Sequence, residues 1–383
     1  LYSDVNLRDV VIVGAGPAGS YLGYLLSQKG FDVLNLEEHH EIGRPVECTG
    51  VVTRRVLNYV KTESIANRIH GAYVYFDNKE PFHISKAEET IVIYRDAFDK
   101  DASAMSISAG TDVKLGSRVT SVRNRGDHME VTYRNSGLLV TESAQVVVGA
   151  DGANSIVRKD IYHTTPGRVV STYQVDYARK MGDQDSVSVY IGSKFSHGFF
   201  AWAVPTGEIT RVGLGSIGTG ASRYIPVVQE LVGPGQVIGI TGGPIPISYL
   251  SKTYCDRSIL IGDAAGIVKP LTGGGIYTGL VSAAHGAKIL TEAFEADDFT
   301  AGFLARYQRS WKREIGHELF IDGLVQRIFA SLNDRTLRSL FSVLSDPKMI
   351  DTINRVGDID YPSGLIIRTL IRHPDLFFRF ISG

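Results

Sequence analysis

The chain has 383 residues, with 40 Lys and Arg against 41 Asp and Glu, a net charge of −1, and 43% hydrophobic residues. That balance argues against nucleic acid as a partner, leaves a neutral or apolar substrate open, and supplies enough apolar content for two domains or one large elaborated one. The two cysteines, Cys48 and Cys255, provide neither a disulfide framework nor a Cys-ligated metal or iron–sulfur centre, and point to a reducing, intracellular setting.

In chain order, Val10 to Val13 reads as a buried parallel strand. Gly14, Gly16 and Gly19 follow with G-x-G-x-x-G spacing, and an apolar helix runs from Ala18 to Gln28. Gly14 permits the tight turn, Gly16 leaves no Cβ between backbone and a pyrophosphate, and Gly19 lets helix pack on strand. Ala18 opens the helix whose N–H groups face the phosphates. A second strand, Phe31 to Leu36, ends at Glu37, about 20 residues on, where a carboxylate accepts from both ribose hydroxyls and disfavours a 2′-phosphate. This register predicts a site for FAD or NAD and not NADP.

The stretch EHHEIGRPVECTGVV is a loop rich in turn residues, expected to lie along the cofactor with Cys48, Thr49 and Gly50 against it. Cys48 reads equally as a small buried filler or as a thiol near the cofactor ring. Thr53 to Ile69 reads as helix, and Gly71 to Phe76 with Phe82 to Ser85 as a strand pair outside the nucleotide core. TIVIY is a short strand running into a helix with Arg95 at the junction, either a surface charge or a contact to the pyrophosphate. Val113 to Val122, Met129 to Arg134 and Gly137 to Val140 read as antiparallel strands, Val119 offering main-chain groups to the adenine edge. QVVVGADGANSIVRK repeats strand, turn and helix, with Asp151 and Gly152 in the turn, Asn154 or Ser155 as cap, and Arg158 projecting from the first helical turn.

From Ile161 to about Leu250, short strand-like runs predict a mainly antiparallel sheet inserted into the first domain. Its inner face is expected to carry Tyr173, Tyr190, Phe200 and Trp202. Most of these read as core; Trp202 is the candidate for substrate. The nucleotide fold resumes at Ile259 to Gly262, a strand with Asp263 at its C-terminal end, where a carboxylate accepts from a ribitol hydroxyl. A helix begins near Gly275. The main-chain N–H groups of Gly273, Gly274, Gly275 and Ile276 are then placed to stabilise negative charge on the pyrimidine end of a reduced flavin. Motifs at both front and back favour FAD over NAD. From Ala301 to Gly383, apolar clusters alternate with Arg and Lys at helical spacing, and a tail carrying Arg368, Arg372 and Arg379 suits either packing or a membrane surface.

The expected fold class is α/β: a Rossmann-like, three-layer ββα FAD-binding domain with an inserted antiparallel-sheet substrate domain and a C-terminal helical region. The expected divisions are 1–70, 90–160 and 251–300 for the FAD domain, 71–89 and 161–250 for the substrate sheet, and 301–383 for the helices. No apolar run approaches the roughly 18 to 20 residues of a membrane span, so the expected location is cytoplasmic, with any membrane contact peripheral, at the inner surface.

The motifs GAGPAG with Glu37, RPVECTG, YRDAFD, GADGANSIVR, GGPIPIS and LIGDAAGIVKPLTGGGI together resemble the geranylgeranyl reductase family, its archaeal digeranylgeranylglycerophospholipid reductases in particular, within the larger group similar to para-hydroxybenzoate hydroxylase. The resemblance covers about residues 8 to 300. It implies non-covalent FAD and the saturation of isolated double bonds in polyprenyl chains of membrane lipids. It also implies a catalytic Cys48 near the flavin. The family's Tyr/Phe-x-Trp-x-Phe-Pro signature, which the resemblance implies binds the substrate chain, appears as Phe200, Trp202, Val204 and Pro205, departing at Val204. Only one strong dinucleotide motif exists, so NAD(P)H, a ferredoxin or another reductant are all open as electron donor. A monooxygenase or halogenase on the same fold is the first rival; the halogenase Trp-x-Trp-x-Ile-Pro signature is broken by Phe200. A membrane-associated electron-transfer flavoprotein is the second, and it lacks a second redox centre.

Overall fold

The structure, a computed structural model, describes residues 7–218, 220–233 and 235–372, without the side chains of 86–88, 232 and 370–372. The sequence readings for Arg379 and the side chain of Arg372 fall outside these residues.

The chain opens with β1 (Leu7–Val13), α1 (Pro17–Ser27) and β2 (Val33–Leu36). Val10, Val11 and Ile12 have no exposed surface, as a parallel strand covered on both faces requires. The chain then leaves the nucleotide fold earlier than expected. The segment 53–69, read as helix, holds the end of β3 (Val51–Thr53), a single 3₁₀ stretch at Arg54–Asn58, and the start of β4 (Ile65–Phe76), which pairs with β5 (Phe82–Ile93). Two register shifts in that pair, near Ile65 and near Ile69, disturb the period-2 pattern and hide the strand from sequence reading. The first insert therefore spans β3 to β5, wider than 71–89.

After α2 (Arg95–Ser108), β6 (Asp112–Lys114) joins β2 in parallel, and β7 (Arg118–Asn124), β8 (Met129–Asn135) and β9 (Leu138–Gly149) form an antiparallel meander. The run 113–122 is thus two strands, split at Gly116, where φ is +62°. The first half of β9 pairs with β8 and its second half, Ser143 to Gly149, pairs parallel to β1, so the meander grows out of the central sheet as a second layer.

The chain continues through α3 (Ile156–Tyr162) into β10 (Val169–Tyr177), β11 (Ser186–Ile191), β12 (Phe200–Thr206), β13 (Ile209–Ile217), α4 (Ile225–Val232), β14 (Val237–Thr241) and β15 (Pro244–Pro246). With β3, β4 and β5 these strands make the second sheet, in the order β14-β10-β13-β12-β11-β4-β5-β3, antiparallel except where β11 meets β4. The short pair β16 (Tyr254–Cys255) and β17 (Ser258–Leu260) returns the chain to the first sheet beside β9. The long helix α5 (Ile276–Ala296) then packs on α1. Helices α6 (Ala301–Trp311), α7 (His317–Ser331), α8 (Asp334–Leu344), α9 (Pro347–Val356) and α10 (Ser363–Arg372) follow. Two sheets, a helical layer and a helical C-terminal region give the α/β class read from the sequence.

Register corrects the aromatic face. Tyr173 lies opposite Leu214, Leu214 opposite Ala201, and Ala201 opposite Tyr190, which puts both tyrosines on the face covered by α4. Trp202 pairs with Gly213 and Gly213 with Gln174, so Trp202 and Phe200 occupy the other face. Alternation along a strand makes this separation unavoidable.

Candidate functional site

At the end of β1 the backbone of Gly14 takes φ +99°, and a Cβ there would sit 2.5 Å from the Ala150 carbonyl oxygen. A Cβ on Gly19 would sit 2.1 Å from the Gly14 oxygen. These two glycines let β1, β9 and α1 close on one another. Gly16 differs: no atom lies within 4 Å of where its Cβ would be. It caps α1 without a side-chain bond, leaving open space in front of the helix N-terminus, the cradle that a pyrophosphate needs. The Ala18 methyl lies 3.5 Å from the Cβ positions of both Gly262 and Gly279, so the front and back motifs meet there.

Glu37 follows β2. Its Oε2 accepts from the Ala15 N–H at 2.9 Å and its Oε1 from the His39 N–H at 2.9 Å, with the His39 ring 2.7 Å from the same oxygen. The carboxylate is thereby aimed across the glycine turn with lone pairs left for a ribose. The Ser117 N–H, just before β7, donates to the Glu37 carbonyl, and Val119 lies half-buried two residues further along, at the same edge of the site.

Asp263 stands in the turn after β17, and burial raises its pKa to about 6 against the opposing pull of Arg95. Gly275 makes room for it: a Cβ there would be 2.6 Å from Asp263 Oδ1. Gly275 caps α5 with no side-chain bond, so the first amides of that helix, Ile276 included, lack a side-chain partner at the cap. Gly274 packs on Lys269, and the Cβ position of Gly273 lies 3.2 Å from Ile245 and 3.5 Å from Phe199 of the second sheet.

Arg95 does not stand free for a phosphate. Its guanidinium makes two bonds to Asp99, at 3.0 and 2.8 Å, and the Cys48 sulfur lies beside it; against the desolvation of a largely covered side chain these partners hold its pKa above the ordinary arginine value. Cys48 Sγ also accepts from the Gly50 N–H at 3.3 Å. Thr49 spans to the second sheet: its hydroxyl donates to Gln174 at 2.7 Å and its carbonyl accepts from Arg211 at 2.8 Å. Gly50, at φ +85°, passes too close to the Ile93 carbonyl for any side chain. The loop is pinned to the second sheet and to Arg95 at the start of α2.

Over this loop lies the face with Phe200 and Trp202, whose rings meet edge to face at 5.7 Å. Gly213 lets the indole lie across β13, since a Cβ there would be 2.6 Å from the ring. The indole N–H donates to Gln174 Oε1 at 3.4 Å. Val204 is 2% exposed and packs on Ile69 and Val92, and Pro205 takes the alternate side of β12, its carbonyl accepting from Asn67. These two residues of the signature are therefore interior to the sheet and not an open wall.

One expectation is corrected and two features escaped the sequence reading. Arg158 does not project: it is 4% exposed and donates to the Ala264 carbonyl at 3.0 Å, clamping the Asp263 turn, while Asp151 accepts from the Ile156 and Val157 amides. Asp360, from the C-terminal region, receives the Lys269 ammonium at 2.7 Å and the Thr53 hydroxyl, while Arg55 holds Asp358 through two bonds. Asp322 and Gln326, one turn apart on α7, accept from the Leu271 N–H at 3.1 Å and donate to the Gly198 carbonyl at 2.9 Å, respectively. Only the last left a signal, two polar residues at i, i+4 within the apolar run ELFIDGLVQRIF.

The open cradle at Gly16, the ribose-side carboxylate of Glu37 and the second glycine turn at the start of α5 fit both ends of a flavin dinucleotide. The FAD binding domain family matches residues 8–229. Fold and site together define an FAD-dependent oxidoreductase. Digeranylgeranylglycerophospholipid reductase 1 of Methanopyrus kandleri is 31% identical over 325 residues, 80% of this chain and 86% of that one. An uncharacterized protein of Methanocaldococcus jannaschii is 30% identical over 377 residues, 95% of each. A geranylgeranyl bacteriochlorophyll reductase-like protein of Thermoplasma acidophilum superposes with a TM-score of 0.84 at 25% identity, over 97% of this chain and 99% of that one. The chain belongs to the geranylgeranyl reductase family of flavoproteins. The flavin-dependent brominase Bmp2, at 18% identity and a TM-score of 0.68, shares the fold alone.

Proposed function

We propose that this chain saturates isolated double bonds of geranylgeranyl chains in membrane-lipid precursors. The carrying observation is the apolar face of Val170, Phe199, Phe200, Trp202 and Ile245 set directly against the Gly273 turn. Such a face suits a hydrocarbon chain and offers little to a polar aromatic substrate. The reductase names of relatives near 30% identity support the same reading.

Bound FAD in its reduced form supplies hydride from N5. The chain does the rest. The glycine turns hold the dinucleotide, with Glu37 on a ribose and Asp263 on the ribitol, and the α5 amides favour negative charge at the pyrimidine end. Cys48 borders the ring as a sulfur that Gly50 and Arg95 both approach as donors, with Thr49 and Gly50 fixing its loop. Phe200 and Trp202 align the lipid and exclude water, so that binding along the chain places one double bond over the ring. Electrons come from NAD(P)H or a protein donor docking outside the FAD site.

No helix among the described residues is long and apolar enough to cross a membrane. Exposed Phe320 and Leu324 of α7 and Ile367 of α10 are apolar, and with Arg368 they support peripheral contact with a lipid surface. The test is product mass: lipid incubated anaerobically with dithionite-reduced enzyme gains two hydrogens per double bond. Unchanged lipid, or oxygen insertion once air is admitted, would favour a monooxygenase.

A further inference from the structure

An isolated alkene has no carbonyl to polarise, so hydride arriving at one carbon has to be matched by a proton at the other. This requirement rests on the function proposed above. The Cys48 sulfur is already engaged, accepting from the Gly50 N–H with the Arg95 guanidinium beside it.

Helix α7, packed against the turn that carries Pro270 and Leu271, holds a carboxyl group with an unused oxygen. Asp322 is 2% exposed. Its Oδ2 accepts from the Leu271 N–H at 3.1 Å, and its Oδ1 is buried without a hydrogen-bond partner among the described residues. Gln326, fully buried one turn later, repeats the pattern: its amide group donates to Gly198 and its Oε1 has no hydrogen-bond partner among the described residues. Leu271 belongs to the glycine turn at the flavin, and Gly198 precedes Phe199, whose ring borders Gly273. Between them, the Cβ position of Gly323 lies 3.6 Å from Pro270. The two unpartnered oxygens therefore lie where the flavin turn and the aromatic sheet face converge. A buried carboxyl oxygen left unpaired is costly as an anion and tolerable as an acid.

We propose that Asp322 is the general acid of the reaction, delivering its carboxyl proton to the alkene carbon that does not receive hydride. The π bond breaks and two C–H bonds form, one from the hydride of reduced flavin and one from the Asp322 proton. The alkene gains two electrons, the flavin loses two, and the carboxylate left behind is reprotonated from water. Burial supports this role by raising the Asp322 pKa to about 6, with Glu318 reinforcing the shift and Lys269 and the Leu271 N–H opposing it. Lys269 is already engaged by Asp360, and Glu318 by Ser363.

The decisive variant is Asp322→Asn, which keeps a carbonyl oxygen for the Leu271 N–H and removes the acid. Expected are normal FAD content, normal reoxidation of reduced flavin by oxygen, and lipid-driven reoxidation slower by about 100-fold or more. Asp322→Glu, with an acid on a longer arm, should recover part of the rate and retain a pH dependence that the Asn variant lacks. Independently of turnover, the wild-type minus Asn difference spectrum of the oxidised holoenzyme should carry an infrared carboxylic-acid band titrating near pH 6, the contribution of Asp263 cancelling because both proteins share it. Asn and wild-type rates within about threefold, equal rates for Asn and Glu, or an infrared band unchanged by the Asn substitution would each overturn the assignment. Wild-type enzyme that lipid does not reoxidise would refute the reductase reading itself, and this assignment with it.

Discussion

At Asp263 a carboxylate sits against the N-terminus of a 21-residue helix in a turn that Gly275 alone leaves room for. Its pKa, raised to about 6 by burial, means that the folded apoprotein binds the proton more tightly than the unfolded chain does. The ionised group therefore opposes folding above that pH, and the penalty is relieved as pH falls through about 6. The apoprotein Tm difference between wild type and Asp263→Asn should move in favour of wild type from about pH 7.5 to about pH 5.5; a pH-independent difference would refute the burial argument. Cys48 gives a second test. Cys48→Ser, which alters the loop beside the flavin site and leaves the acid in place, should retain FAD while lipid reduction falls about tenfold, and a fully active variant would reduce Cys48 to packing. Gly14, Gly16, Glu37 and Asp263 were legible in the sequence because a tight turn and a carboxylate at a strand end are local demands. Arg158, Asp322 and Asp360 were not, because each acts on a partner between about 50 and 300 residues away, a distance that spacing cannot encode.

Among elements, β12 and β13 carry most of the substrate side. Their alternation separates Trp202 from Tyr190, a division that aromatic content alone does not reveal and that strand pairing settles. The strand β4 escaped sequence reading for a related reason, since its bulges shift the alternation partway along. The glycine pattern VGLGS in β13 becomes meaningful only once Trp202 is seen lying on Gly213. Gly213→Val should overpack that contact and destabilise the fold by about 1–3 kcal/mol. It should also impair lipid reduction more than FAD binding, measured by urea unfolding, flavin titration and turnover. Equal loss of both would mean that the indole braces the flavin site and not the cleft.

For the whole molecule, the C-terminal region closes the structure around the flavin turn. Asp360 joins Lys269 of that turn to Thr53 and Arg55 near the second sheet, and both Asp360 and Lys269 are buried. Removing one partner strands the other, so Asp360→Ala should cost about 3–5 kcal/mol in urea unfolding and weaken FAD retention. A neutral variant would show that the region packs on the domain without holding it. In the proposed reaction electrons pass from flavin to an unactivated alkene, and flavin absorbance reads them directly. Under argon, the reduced enzyme mixed with a digeranylgeranyl glycerophospholipid should reoxidise with one flavin consumed per double bond saturated, and a fully saturated lipid should leave it reduced. Flavin that stays reduced with both lipids and reoxidises only when oxygen enters would contradict alkene reduction by this enzyme.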